Sequence, residues 1–191
     1  MTSKSPKDMM SAITDSMQER TGRTLPEWVD LVLSSGIDPL DQNTVRRWLK
    51  TKHGVLQNSQ WAIADAVARA SGWQEPTAEE YVDQQYSGAK AAFRTIFDRL
   101  REIVENFGED VRMEGRSTYT PFVRRRQFVA IAAATRTRVD VGLRYVQPPE
   151  SALLVVANGP GQATHKVSLT SVGAITAEVE RLLRVAYDQN G

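Results

Sequence analysis

The chain has 191 residues, 41% hydrophobic and 25% charged, the balance of a globular protein rather than a disordered or fibrous one. Lys plus Arg number 24 and Asp plus Glu 23, so net charge alone gives no sign to a partner. There is no cysteine, which excludes disulfide frameworks, thiolate metal sites and cysteine nucleophiles. No run approaches the roughly 18–20 apolar residues of a membrane span. Residues 1–7 are polar with no apolar segment behind them, so no signal peptide is read and a cytoplasmic protein is expected.

The first half reads as four short helices. Ser5-Pro6-Lys7-Asp8 supplies a capping hydroxyl, a proline at the first helical position and an acid in the first turn. Met10, Ile13 and Met17 follow at helical spacing, and Gly22 ends the segment. Thr24-Leu25-Pro26-Glu27 is a second capping box, followed by Trp28, Val29, Val32 and Leu33 and stopped near Gly36. The pattern predicts a third helix over 44–53, burying Val45, Trp48 and Leu49. A fourth is predicted over 58–71, with Trp61, Ala64, Val67 and Ala68 inward. Such short helices must pack on one another or on a neighbouring domain.

All four tryptophans precede residue 74, and all five tyrosines and all five phenylalanines follow it. Proline at 76, in the acidic stretch 74–80, is a helix-stop signal. The reading is therefore a helical domain over 1–74, a linker or short helix over 75–87, and an α+β domain over 88–191. The second domain opens with an amphipathic helix over 88–107, whose stripe is Phe93, Ile96, Phe97, Leu100, Val104 and Phe107. Strands are predicted over 111–119, 127–133, 136–144, 153–156 and 164–169, and a last helix over 171–188 buries Val172, Ile175, Val179, Leu182 and Ala186. In 136–144, Thr137, Val139, Val141 and Leu143 face one way and Arg136, Arg138, Asp140 and Arg144 the other. The fold class expected is α+β: a four-helix domain, then a small antiparallel sheet packed by two helices.

The chemical anomaly is cationic. Between 112 and 144 stand eight arginines against two acids, Glu114 and Asp140. Alternate side chains on a strand lie about 6.6–7 Å apart, near the spacing of successive phosphates on a nucleic-acid strand. Arginine's fork grips phosphate and carboxylate through two bonds. The run Arg124-Arg125-Arg126 must split across both faces of a strand unless it is a loop. An inward member needs a carboxylate, for which Asp140 is the candidate. The competing explanation is an exposed face in a chain that favours arginine throughout, with 18 Arg against 6 Lys.

His165 shares the phase of Val167 and Leu169. It is either a satisfied half-buried residue or, with Tyr119, Lys90 or Asp140 beside it, a general acid or base. His53 ends a helix, where a cation suits the dipole. The third helix carries Arg46, Arg47, Lys50 and Lys52 within seven residues. It is either a DNA-groove helix or one anchored inward by Trp48 and Leu49 with a favourable basic end. There is no phosphate-cradling glycine loop, zincin motif or nucleophile elbow, so neither a cofactor nor a metal centre is expected.

Tyr86-Ser-Gly-Ala-Lys90, Arg126-Gln127-Phe128, residues 137–143 and residues 164–171 together resemble a small bacterial α+β family, domain of unknown function 5655. Trp48-Leu49-Lys50 before His53-Gly54 resembles domain of unknown function 4287, a helical family that commonly precedes it. The chain departs from the latter after Gly54, where Val55-Leu56-Gln57-Asn58-Ser59-Gln60 replaces a Gly/His-rich turn. The resemblance implies a fold and a domain order. Relatives appended to nuclease-like modules imply a nucleic-acid-side accessory role by association alone.

The leading expectation is a non-enzymatic binding protein. Lys90, Tyr119, Arg124, Arg126, Arg136, Arg138, Asp140 and His165 are its candidate ligand residues, and nucleic acid or a phosphorylated small molecule is its partner. No membrane partner is expected, and oligomeric state is left open. A small enzyme with a His165/Asp140/Tyr119 pocket is one alternative. An interaction module docking through its tryptophan-rich helices is another.

Overall fold

A computed structural model describes residues 16–157 and 159–191. They divide into two units, Met1–Glu75 and Pro76–Gly191. The capping motif at 5–8, with Met10 and Ile13, lies outside the described residues.

The first unit holds α1 (Met17–Thr21), α2 (Leu25–Leu33), α3 (Gln42–His53) and α4 (Gln57–Ala70). Gly22 closes α1 at φ 77°, a left-handed turn that glycine adopts without steric cost. Thr24 and Glu27 form the reciprocal capping box at the start of α2. Asp41 caps α3 by accepting from the Thr44 amide. The core joins Met17, Trp28, Val32, Val45, Leu49, Ile63 and Val67, with Trp48 partly buried against it. Trp28 is fixed by a 2.7 Å bond from its indole N–H to Thr21 Oγ1. Trp61 is a correction: it is 45% exposed, and the Arg46 guanidinium lies over its ring, 3.5 Å from the centroid. A cation resting on the indole satisfies that face in water.

The second unit opens with α5 (Ala78–Gln85), capped by Thr77 and Glu80. The expected helix over 88–107 is split into a 3-10 segment (Gly88–Phe93) and α6 (Arg94–Glu105). Six strands follow: β1 (Arg112–Met113), β2 (Thr120–Val123), β3 (Gln127–Ala132), β4 (Val139–Leu143), β5 (Val155–Val156) and β6 (His165–Leu169). After a 3-10 turn at Val172–Ala174, α7 (Ala177–Asp188) ends the unit. Every pairing is antiparallel, in the order β1-β2-β3-β4-β6-β5. The fold is α+β: helices first, then a six-stranded antiparallel sheet with flanking helices.

One sheet face builds the core. Phe122, Val129, Ile131, Val139, Val141, Leu143, Val167 and Leu169 share it with Val82 of α5 and with the apolar stripes of α6 and α7. The other face is small and polar: Ala130, Ala132, Asp140, Gly142, Lys166 and Ser168 lie in the alternate phase. Gly142 is needed there. A Cβ on it would stand 2.8 Å from Ala163 Cβ and 2.9 Å from Pro160 Cδ.

Several sequence-predicted elements differ. The strand over 111–119 shrinks to β1. Pro121 has no N–H to extend the β1 ladder, and the Arg116 carbonyl accepts instead from the Gln85 amide at 2.7 Å. The strand over 136–144 begins only at Val139. Residues 134–138 turn, and Thr135 Oγ1 takes the Thr137 amide at 3.1 Å in place of a ladder partner. Arg136 and Arg138 are therefore turn residues, not strand residues. Residues 124–126 form the β2–β3 turn, so no arginine of that run is forced inward. The last helix starts at Ala177 and leaves Val172 42% exposed.

Candidate functional site

The sheet register sorts the sequence-predicted residues into two groups. The β2–β3 turn with Arg124 and Arg126 lies at one end of β3, and the β3–β4 turn with Arg136 and Arg138 at the other. Six residues of strand separate those ends, about 17 Å. Lys90, Tyr119, Arg136, Arg138 and Asp140 belong to the second end; Arg124, Arg126 and His165 belong to the first. The eight do not form one arginine-lined face.

At the first end Arg112, Arg124 and Arg126 are held by internal partners. Arg124 Nε contacts Asp110 Oδ2 at 2.5 Å, and its guanidinium lies over the Tyr187 ring. The bond from Arg124 and a second from Tyr187 hold the Asp110 carboxyl below its ordinary range. Arg126 donates to the Gln189 carbonyl at 3.2 Å, and Arg112 to the Arg124 carbonyl at 3.3 Å. His165 is half-buried on the core face of β6, its Nδ1 3.0 Å from Thr164 Oγ1 and its ring edge-on to Tyr145.

Asp140 points to the opposite face from His165. It does not partner the 124–126 run, because it is paired in register with Ala132 at the far end of β3. Its partners are Arg138 Nε at 2.9 Å, Lys166 Nζ at 2.9 Å and Ser168 Oγ at 2.7 Å. Burial works against ionisation of this carboxyl and is the largest single influence. The bonds from Lys166, Ser168 and Arg138 together outweigh it and hold the group below its ordinary range. His165 and Asp140 thus do not converge on one pocket with Tyr119, which precedes β2. Lys166 and Ser168 were missed as partners. Their signal was the phase of β6, in which they alternate with buried Val167 and Leu169.

The second end carries a cleft of about 490 Å³. Lys90, Ser87, Gln85, Ser117, Thr118 and Ala133 contribute to its walls, and among the described residues Lys90 is the one charged residue lining it. Lys90 Nζ donates to the Ala133 carbonyl at 2.6 Å, which fixes the ammonium at the wall. Two of its three donors remain. Gln85, 8% exposed, is anchored by its bond to Arg116 O, and its Oε1 is buried without a partner. The volume is that of a small-molecule site, and its donors toward a ligand are the Lys90 ammonium and the Ser117 and Thr118 hydroxyls, since Ser87 Oγ donates to the Gln84 carbonyl at 2.8 Å. The hydroxyls were not read from the sequence, since Ser87, Ser117 and Thr118 meet only through folding.

Residues 82–190 match the family model described as domain of unknown function 5655. The chain belongs to that family. In this chain the domain of unknown function 5655 spans nearly the whole sheet unit, so it contains the cleft, the Asp140 cluster and His165 alike. No curated protein and no solved structure is significantly similar to the chain. Among the described residues no helix is long and apolar enough to cross a membrane, and no group of three His, Asp or Glu is placed to hold a metal ion.

Proposed function

We propose that the sheet unit is a non-enzymatic binding domain for a small phosphorylated ligand, held in the Lys90 cleft. One observation carries this reading: among the described residues the sole charge lining the cleft is a cation already fixed in place, with hydroxyls around it and no carboxylate in the lining. A phosphate there gains charge-assisted bonds from Lys90 and further bonds from the Ser117 or Thr118 hydroxyl. Arg136, in the turn that follows Ala134, adds positive potential nearby, whereas Arg138 is paired with Asp140 and adds little. We also read the helical unit, on Trp48-Leu49-Lys50 and His53-Gly54, as related to domain of unknown function 4287.

The test is calorimetric titration of the full chain with inorganic phosphate and pyrophosphate at low salt. A charge-assisted bond is worth about 1.5–3 kcal/mol, so Lys90→Met weakens binding roughly 10- to 150-fold. Arg136→Ala with Arg138→Ala weakens it only a few-fold, because Arg136 acts from nearby and Arg138 is paired with Asp140. Thermal unfolding of each variant checks that it is folded. Absence of binding to either anion, or unchanged affinity in folded Lys90→Met, refutes the proposal.

A further inference from the structure

The first unit holds a second cationic surface, and among the described residues no ion pair ties it down, the Asp41 carboxylate at the start of the helix acting on Arg47 only at a distance. Helix α3 carries Arg46, Arg47, Lys50 and Lys52 and no acid. Among the described residues, the ion pairs of this unit are those of Arg69 with Asp65 and Glu75, and none of the four α3 cations takes part. Val45 and Leu49 face the core. A helix that turns them inward turns Asn43, Arg46, Arg47 and Lys50 outward, at i, i+3, i+4 and i+7. Arg46 is ordered by its contact with Asn43, a bond to the Gln42 carbonyl and the Trp61 ring beneath it.

The connection to α4 adds direction to that stripe. Three residues, Gly54-Val55-Leu56, join the two helices, with Gly54 left-handed at φ 65°. Val55 is buried, and the Gln60 amide donates to its carbonyl at 2.6 Å, so the turn is pinned from inside. A short glycine-containing turn between two packed helices is the helix-turn-helix connection. In DNA-binding examples the first helix crosses the phosphates and the second offers the side chains of its first turn to base edges. Here that first turn presents exposed Gln57 and Asn58, amides suited to paired bonds with adenine. A groove of about 630 Å³ runs between α3 and this turn, lined by Asn43, Arg46, Lys50, Leu56 and Gln57 among others, with no acidic residue among the described ones.

We infer that the helical unit binds duplex DNA, with the α3 stripe on the phosphates and the first turn of α4 at the major groove. The inference is independent of the Lys90 cleft. It is tested on the full chain by fluorescence anisotropy with a short labelled duplex of mixed sequence, between about 50 and 200 mM salt. Three phosphate contacts, from Arg46, Arg47 and Lys50, weaken binding about 40-fold over that interval. Arg47→Ala with Lys50→Ala, both at exposed positions, leaves about a 3- to 4-fold dependence and much lower affinity. Gln57→Ala with Asn58→Ala lowers affinity and leaves the salt dependence unchanged. Lys90→Met leaves duplex binding as it was, which separates this surface from the cleft. The inference is overturned by no binding at low salt, by a salt dependence that stays near the full 40-fold in Arg47→Ala with Lys50→Ala, or by tighter binding of the single strand. Loss of duplex binding in Lys90→Met also overturns it.

Discussion

Replacing Asp140 by alanine tests whether the polar sheet face is held by its charge cluster. The substitution deletes the bonds from Arg138, Lys166 and Ser168 and leaves a half-buried ammonium without a carboxylate. Hydrogen bonds to a charged group contribute about 1.5–3 kcal/mol each. Arg138 is 42% exposed along its side chain, so its share is discounted to below about 1 kcal/mol for solvent screening. Lys166, at 26%, rehydrates in part. The net cost is about 2–3 kcal/mol, because the burial penalty on the carboxylate disappears with it. For a unit of roughly 115 residues this lowers Tm by about 8–12 °C. The aromatic partition makes the assay selective: tyrosine absorbance follows the sheet unit and tryptophan fluorescence the helical one. A depressed folded pKa contributes stability that is fully present above the unfolded value of about 3.9 and is lost as pH falls through the folded value. Asp140→Asn therefore flattens the acid limb below about pH 4. A Tm shift under about 3 °C for Asp140→Ala, or an acid limb unchanged in Asp140→Asn, refutes the reasoning.

Trp28→Ala costs about 3–5 kcal/mol in urea unfolding of the helical unit, whereas Trp61→Ala costs about 1 kcal/mol or less, the loss of a cation–π contact at an exposed site. Equal costs would return Trp61 to the core. Thr24→Ala and Thr77→Ala each remove a capping box and cost about 1 kcal/mol, the first in the tryptophan signal and the second in the tyrosine signal. Gly142→Ala costs about 1–3 kcal/mol, since its Cβ would meet a proline ring and a backbone carbonyl that cannot swing away. A neutral result would mean that the loop at 160–163 moves freely off the sheet.

Legibility followed the range of the forces involved. The capping box at Thr24 and the glycine at 22 act within a few residues, so the start of α2 and the end of α1 were readable from the chain, whereas the same local box at Thr77 was passed over. The alternation Val139, Val141, Leu143 against Asp140 and Gly142 sets the two faces of β4 by the same local rule. What stayed hidden depended on partners distant in sequence. The ladder of β1 stops because proline stands on the neighbouring strand, and Trp61 turns outward because a guanidinium from α3 covers it. Arg136 and Arg138 fit a strand by period, yet the Thr135 hydroxyl accepts the Thr137 amide, and its contact with the Thr137 hydroxyl helps hold the segment as a turn.

Charge density along a chain and unneutralised charge on a surface are different quantities, and this protein separates them. The arginine-rich stretch between 112 and 144 is the denser one in sequence, but Arg116, Arg124 and Arg138 are tied to Glu114, Asp110 and Asp140. Arg112 and Arg126 donate to carbonyls and Arg144 to the Gln162 amide oxygen, bonds that fix these guanidinium groups in place without cancelling their charge. Antiparallel pairing also moves its two turns to opposite ends of β3, so their fields do not add within a Debye length of about 8 Å at physiological salt. Helix α3 has half as many cations and keeps them all free of carboxylates among the described residues, three of them on one outward stripe. A long polyanion responds to local unpaired charge, so the less conspicuous helix is the stronger candidate for it, and the single lysine of the cleft is left to a small anion.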